Sequence, residues 1–178
     1  MRHLSALFAF AALIATPALA ALPTGARAPD FRTIGALGGK AFKLHLADQL
    51  RHGPVVLYFY PKAFTSGCTL EAHAFSAAMP DFRKAGARVI GMSADGLPLL
   101  KRFSTEACRN AFPVATASTA VIKAYDVAMP SSAGAPPGMT SRISYVIARD
   151  GHIVMVHDDL DWKDHVAKSL AAVRALKK

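Results

Sequence analysis

The sequence predicts an α/β domain, a single sheet with helices packed on both faces. Three observations carry this. Pro54-Val55-Val56-Leu57-Tyr58-Phe59-Tyr60 holds no charged residue and is rich in β-branched and aromatic side chains, as a central strand covered on both faces requires. Strand-like segments alternate with segments of helical period along the rest of the chain. At 178 residues the chain suffices for one domain with a full core and falls short of two.

Residues 1–20 are set apart from that domain. Arg2 and His3 give a positive start, Leu4 to Ala15 form an apolar stretch broken at Pro17, and Ala18-Leu19-Ala20 offers small residues where a signal peptidase reads. The reading is a secretory signal, a mature domain over 21–178, and export, to the periplasm in a bacterium. No later apolar run is long enough to predict a membrane span.

The elements follow in order. Ala21 to Pro29 is a small-residue lead-in. Phe42-Lys43-Leu44-His45-Leu46 alternates after Gly38-Gly39, which predicts a hairpin over 31–46. The 54–60 strand stops at Pro61, and a loop over 62–67 leads into a helix with Leu70, Ala74, Ala77 and Ala78 on one face. Pro80 either kinks that helix or opens a second one. Gly86 caps it, and Ala87 to Ser93 is the next strand. Leu97 to Cys108 reads as a helix with Leu100, Phe103 and Ala107 inward, 112–115 as a short strand, and 120–126 as a short helix. Met129 to Thr140, rich in Ser, Gly, Ala and Pro, is a surface loop. Strands over 142–148 and 152–157 flank the hairpin signal Arg149-Asp150-Gly151. Trp162 to Lys178 closes the chain as an amphipathic helix with Val166, Leu170 and Val173 inward. The order β-α-β-α-β-β-α is the thioredoxin-like arrangement, a central mixed sheet flanked by helices.

Apolar residues make up 52% of the chain, which excludes a disordered protein. The formal charge of +9 comes from scattered lysines and arginines, with no basic run interleaved with aromatics. A solvated basic surface is therefore expected, not a nucleic-acid partner. There are two cysteines, Cys68 and Cys108. Export permits them to pair, and composition leaves open a structural staple or a working redox couple.

Cys68 carries the chemistry. A buried strand delivers a loop, and Cys68 falls near the first turn of the following helix, with Thr65 or Ser66 available as a cap. Unpaired N–H groups and the positive dipole end favour a thiolate there, the reactive form of the side chain. Pro61-x-x-x-Thr65-x-x-Cys68 resembles the active-site signature of the peroxiredoxins, and Tyr58 through Thr69 resembles their bacterioferritin-comigratory, or peroxiredoxin Q, branch. Ala28-Pro29-Asp30-Phe31 resembles the family's entry segment, and Arg142 opens a strand as the family's active-site arginine does. The likeness covers nearly the whole mature chain.

The resemblance implies a thiol-dependent peroxidase acting on hydrogen peroxide and organic hydroperoxides without metal, haem or flavin. Cys68 would attack a peroxide oxygen and become a sulfenic acid. Thr65 would set its hydroxyl against the sulfur and Pro61 would shield it. Arg142 would stabilise the thiolate and the departing oxygen, and Glu71 would orient Arg142. In the commonest peroxiredoxin Q pattern a resolving cysteine follows five residues after the first; here that position is His73. The resemblance then points to Cys108, with a Cys68–Cys108 disulfide reduced by a thioredoxin-like protein or small thiol, on a monomer, although dimers occur across the family. The other readings are a free Cys108, a permanent staple, or a non-catalytic binding or copper-handling module using Cys68, His73 and His157 or His165. Residues five apart on a helix diverge by about 140°, which sets Cys68 and His73 apart as joint ligands.

Overall fold

The computed structural model describes residues 21–130 and 134–176; residues 1–20, read above as a secretory signal, and part of the 129–140 loop lie outside the described residues. In chain order the elements are β1 (Arg32–Leu37), β2 (Lys40–His45), α1 (Leu46–Leu50), β3 (Val55–Phe59), α2 (Ser66–Lys84), β4 (Arg88–Ser93), α3 (Leu97–Glu106), β5 (Val114–Thr116), α4 (Thr119–Ala124), β6 (Ile143–Ile147), β7 (Ile153–Asp158) and α5 (His165–Ala175). The strands form one mixed sheet in the order β2-β1-β5-β4-β3-β6-β7. β3 runs parallel to β4 and antiparallel to β6, so both its edges are paired and all five residues are buried.

Strand alternation sorts the core into two layers. Val56, Tyr58 and Tyr60 join Phe75 and Phe82 of α2, Phe103 of α3 and Leu170 of α5 on one face. Val55, Leu57 and Phe59 join Leu46 and Leu50 of α1 and Val121 and Ile122 of α4 on the other. Gly91 lies opposite Tyr58 in the β3–β4 register, and a Cβ there would come within 2.9 Å of the Tyr58 ring. The missing side chain makes room for Tyr58, which stacks on Phe75 with centroids 4.3 Å apart.

Four expectations are corrected. The buried stripe of α2 is Cys68, Ala72, Phe75, Met79 and Phe82, while Leu70 is exposed. The chain chooses the stripe that buries two phenylalanines over one made mostly of alanines. Pro80 starts no second helix; it lies exposed within continuous α2, which ends at Lys84 with Ala85 as C-cap, Gly86 in the left-handed region (φ 77°) and Ala87 N–H bonded to the Phe82 carbonyl. The hairpin does not run through Leu46, because α1 starts there. Asp30 holds that start, accepting from the Ala47 N–H at 3.0 Å and meeting His45 Nε2 at 2.7 Å. Cys108 falls just past α3, not at its last turn, and two left-handed residues, Arg109 (φ 53°) and Asn110 (φ 59°), follow it.

Phe75 touches Tyr58, Phe82 and Phe112, so Phe75→Ala should lower stability by about 3–5 kcal/mol. Urea unfolding monitored by circular dichroism checks this; a loss under about 1 kcal/mol would mean that the cluster collapses around the gap.

Candidate active site

β3 ends before Pro61, and the turn after it is pinned at several points. The Thr140 hydroxyl donates to the Tyr60 carbonyl at 2.6 Å. Ala63 N–H donates to Asp95 Oδ2 at 2.7 Å, and Ser93 Oγ donates to the same oxygen at 2.9 Å. Phe64 is forced into the left-handed region (φ 66°), a conformation that strains a bulky side chain. Its ring packs edge-on against Phe103 of α3 at 5.2 Å, with the Arg102 guanidinium 5.1 Å above it.

α2 begins immediately afterwards. Thr65 occupies the N-cap position but makes no side-chain cap; its hydroxyl donates to the Lys62 carbonyl at 3.0 Å. Pro61 is half-buried at the loop entrance and Thr65 is exposed at its exit. Cys68 is the third helical residue; the first intrahelical donor is Thr69 N–H, on the Thr65 carbonyl, so the N–H groups of Ser66, Gly67 and Cys68 have no intrahelical acceptor and the positive end of the dipole lies at the cysteine. The side chain is 1% exposed.

Arg142, directly ahead of β6, projects on the same sheet face as Ser144 and Val146, toward α2 and α5. Its three nitrogens are committed separately. Nε donates to the Leu160 carbonyl at 2.8 Å, Nη1 donates to Glu71 Oε2, and Nη2 lies 3.5 Å from Cys68 Sγ. Burial works against the guanidinium charge, but Glu71 and Cys68 outweigh it and hold Arg142 above its ordinary value. Burial pushes the Glu71 carboxyl up to about 8, against the pull of Arg142. The cluster thus presents a fixed cation, supported from behind, to a buried sulfur. Gly67 leaves space for it: a Cβ there would sit 3.2 Å from Arg142 Nη2.

Cys108 belongs to the same core cluster as Cys68, Tyr58, Tyr60 and Phe103, and the two thiols are unpaired. Tyr58 and Tyr60 lie within electrostatic reach of both sulfurs. Burial pushes the Cys108 thiol well above its ordinary value, so it stays protonated in place. Its backbone is tied in: the Cys108 carbonyl accepts from Ser76 Oγ at 3.0 Å and Ala111 N–H at 2.9 Å.

The structure therefore brings Cys68, Glu71 and Arg142 into direct contact and sets Pro61 and Thr65 on the loop before them. Sequence reasoning missed Asp95, which braces the loop, and Ser144 near the arginine, and it weighed His165 only as a ligand of the copper-handling alternative. Ser144 was accessible from alternation alone, two residues past Arg142; nothing local marked His165 as a buried neighbour of Glu71. Among the described residues no group of three or more His, Cys, Asp or Glu is arranged to hold a metal. Two grooves, of about 560 and 590 Å³, meet near Gly86 at the opposite end of β4, away from Cys68. The site sits instead beyond the carboxyl ends of parallel β3 and β4, where open α/β sheets carry ligands.

Comparison with known proteins follows this geometry. The AhpC/TSA family matches residues 24–156. A bcp protein of Helicobacter pylori is 44% identical over 89 residues, half of this chain and 56% of that protein, so the chain spans little more than half the length of that relative. Peroxiredoxin Bcp of Xanthomonas campestris is 32% identical over 123 residues, 68% of this chain and 76% of that protein. A solved bacterioferritin comigratory protein from the same species, studied for alkyl peroxide reduction, superposes with a TM-score of 0.71 at 29% identity, covering 82% of this chain and 92% of that one. The peroxidoxin BcpB structure from Mycobacterium tuberculosis superposes with a TM-score of 0.77 at 29% identity, over 87% of this chain and 98% of that one. The thioredoxin-like arrangement expected from the element order is the fold these structures share.

Proposed function

Because the chain belongs to the AhpC/TSA family, we propose that it is a thiol-dependent peroxidase whose nucleophile is Cys68. The single observation that carries this is Arg142 Nη2 at 3.5 Å from a buried cysteine at the start of a helix, with Glu71 fixing the arginine from the other side. The Cys68 thiolate attacks one oxygen of ROOH. The S–O bond forms as the O–O bond breaks, leaving a sulfenic acid and RO⁻, which takes a proton to become alcohol or water. Arg142 and the first-turn N–H groups bear the negative charge as it moves from sulfur to the departing oxygen.

Resolution then falls to Cys108. Its thiol attacks the sulfenic sulfur, releasing water and leaving a Cys68–Cys108 disulfide that an external dithiol reduces. Both cysteines are at most 1% exposed, so the start of α2 and the end of α3 must unwind for the sulfurs to meet. The local backbone favours this: Phe64, Arg109 and Asn110 all hold left-handed conformations that unwinding releases. We read the enzyme as a monomer exported by way of residues 1–20, with an exported dithiol protein or small thiol as its reductant.

Rapid mixing of reduced protein with one equivalent of hydrogen peroxide, followed by mass spectrometry, tests this. The expected product has lost two hydrogens, with Cys68 and Cys108 linked. In Cys108→Ser the first oxidation should proceed at a rate within about two-fold of the parent, and the product should instead gain one oxygen. A Cys108→Ser protein that still loses two hydrogens and turns over normally would remove Cys108 from the cycle. No reaction faster than that of an ordinary thiol would overturn the peroxidase reading.

A further inference from the structure

We propose that Ser76 and Arg83 of α2 are positioning residues for the resolution step: they hold the turn that carries Cys108 against α2, and its release sets how fast the Cys68–Cys108 disulfide forms. The inference rests on the peroxidase reading with Cys108 as resolver, and gives its timing to two side chains outside the site.

Cys108 lies past the end of α3 in a turn closed by its own backbone. Cys108 N–H donates to the Phe103 carbonyl at 3.0 Å, Asn110 N–H to the Ser104 carbonyl at 3.0 Å, and Ala111 N–H to the Cys108 carbonyl at 2.9 Å. Two side chains of α2 reach across to this turn. Ser76 Oγ donates to the Cys108 carbonyl at 3.0 Å, and Arg83 Nη2 donates to the Ala111 carbonyl at 2.9 Å. Ser76 and Arg83 stand about two helical turns apart, so they share one face of α2 and hold the turn at both its ends. With Ser76 and Ala111 both donating to it, the Cys108 carbonyl has its two lone pairs engaged. The helix before the turn is fastened separately: the buried Ser104 hydroxyl accepts from the Gly39 N–H at 2.9 Å and donates to the Lys101 carbonyl at 2.7 Å. α3 therefore keeps an anchor of its own when the 107–111 turn lets go of α2.

The turn is held in the wrong place for chemistry. Ser76 lies about 12 Å along the axis of α2 from Cys68, at about 1.5 Å per residue. A disulfide needs its two Cα atoms within about 7 Å. Unwinding the start of α2 frees Cys68 but leaves the Cys108 carbonyl on Ser76, well inside the helix. Arg109 and Asn110, both in left-handed conformations, drive the turn toward release, and the two bonds from α2 oppose them.

The delay has a chemical consequence. While Cys68 is a sulfenic acid, a second hydrogen peroxide can give an oxygen to its sulfur: the S–O bond forms as the O–O bond breaks, leaving a sulfinic acid and water. The hold on the turn thereby sets the peroxide concentration at which Cys68 leaves the cycle.

The test mixes the reduced full chain with rising hydrogen peroxide and follows products by mass spectrometry, which separates loss of two hydrogens from gain of two oxygens. Ser76→Ala should speed disulfide formation about three- to five-fold and raise the peroxide needed for half sulfinic acid by the same factor, with the first oxidation within about two-fold of the parent. Alanine is the better helix former, so the gain cannot come from a weakened α2. Ser76→Thr, which keeps the hydroxyl, should behave as the parent, and Arg83→Met should move both readings the same way by about two-fold. A folded Ser76→Ala protein with parental partition would overturn the proposal. Should that variant fail to fold, Arg83→Met decides, and parental partition there refutes the role. Alkylation of Cys108 by iodoacetamide in a Cys68→Ser chain reads release of the turn without peroxide, and Ser76→Ala should quicken it by the same factor. A parent that forms no disulfide refutes Cys108 as resolver instead, and the alkylation arm still judges whether Ser76 holds the turn.

Discussion

Cys68→Ser is expected to end peroxide consumption, with a loss on the order of 10⁴-fold or more in the second-order rate. The size follows from the chemistry of the atom replaced. Serine keeps the shape of the side chain at the third position of α2, so the stripe of Ala72, Phe75, Met79 and Phe82 still packs against β3. What it lacks is an ionised, polarisable nucleophile: a hydroxyl beside Arg142 keeps its proton at neutral pH. Stopped-flow peroxide consumption with a dithiol reductant measures the rate, and thermal unfolding shows that the variant is folded. Parental turnover in a folded Cys68→Ser protein would move the chemistry to Cys108, the other cysteine of the chain.

The parts of this site that could be read in the sequence are those set by local rules. Pro61 ending an apolar strand, a loop, and a cysteine at a helix start are consequences of residues within a few positions of one another. Arg142 at the head of a β-branched strand is likewise legible as a strand-end residue; that it reaches Cys68 followed from resemblance, because a contact across 74 residues of chain leaves no local mark. The face of α2 was misjudged for a physical reason. The helix is rich in alanine, so several stripes have similar hydropathy, and the choice falls to aromatic volume against Tyr58 and Phe112 on other elements. Counting Cys68 and Glu71 as chemical residues also hid them as core residues, although Glu71 is wholly buried. His165 is the extreme case: its burial depends on α5 docking over β6 and β7, a tertiary event that no window of sequence contains.

Arg142→Met should reduce peroxide oxidation of Cys68 by about 10²–10³-fold while affecting stability in a separable way. The kinetic loss is that of a single oxyanion donor, here the one aimed at the sulfur and the oxygen leaving it. Lysine should not rescue it. One ammonium cannot satisfy the Leu160 carbonyl, Glu71 and Cys68 at once, whereas the guanidinium serves all three through different nitrogens. For stability, breaking a buried pair from one side costs about 3–5 kcal/mol when the abandoned charge persists. Glu71 has an escape: burial already pushes its carboxyl up to about 8, and with Arg142 gone the remaining influence is burial alone, so it should take up a proton and bring the loss below that range. The double variant Arg142→Met with Glu71→Gln removes the charge altogether and should recover stability to within about 1 kcal/mol of the parent, without recovering activity. Urea unfolding and peroxide kinetics on the single and double variants separate the two roles. If activity returned together with stability in the double variant, Arg142 would be a structural partner of Glu71, and the charge supporting the thiolate would have to come from the helix start alone.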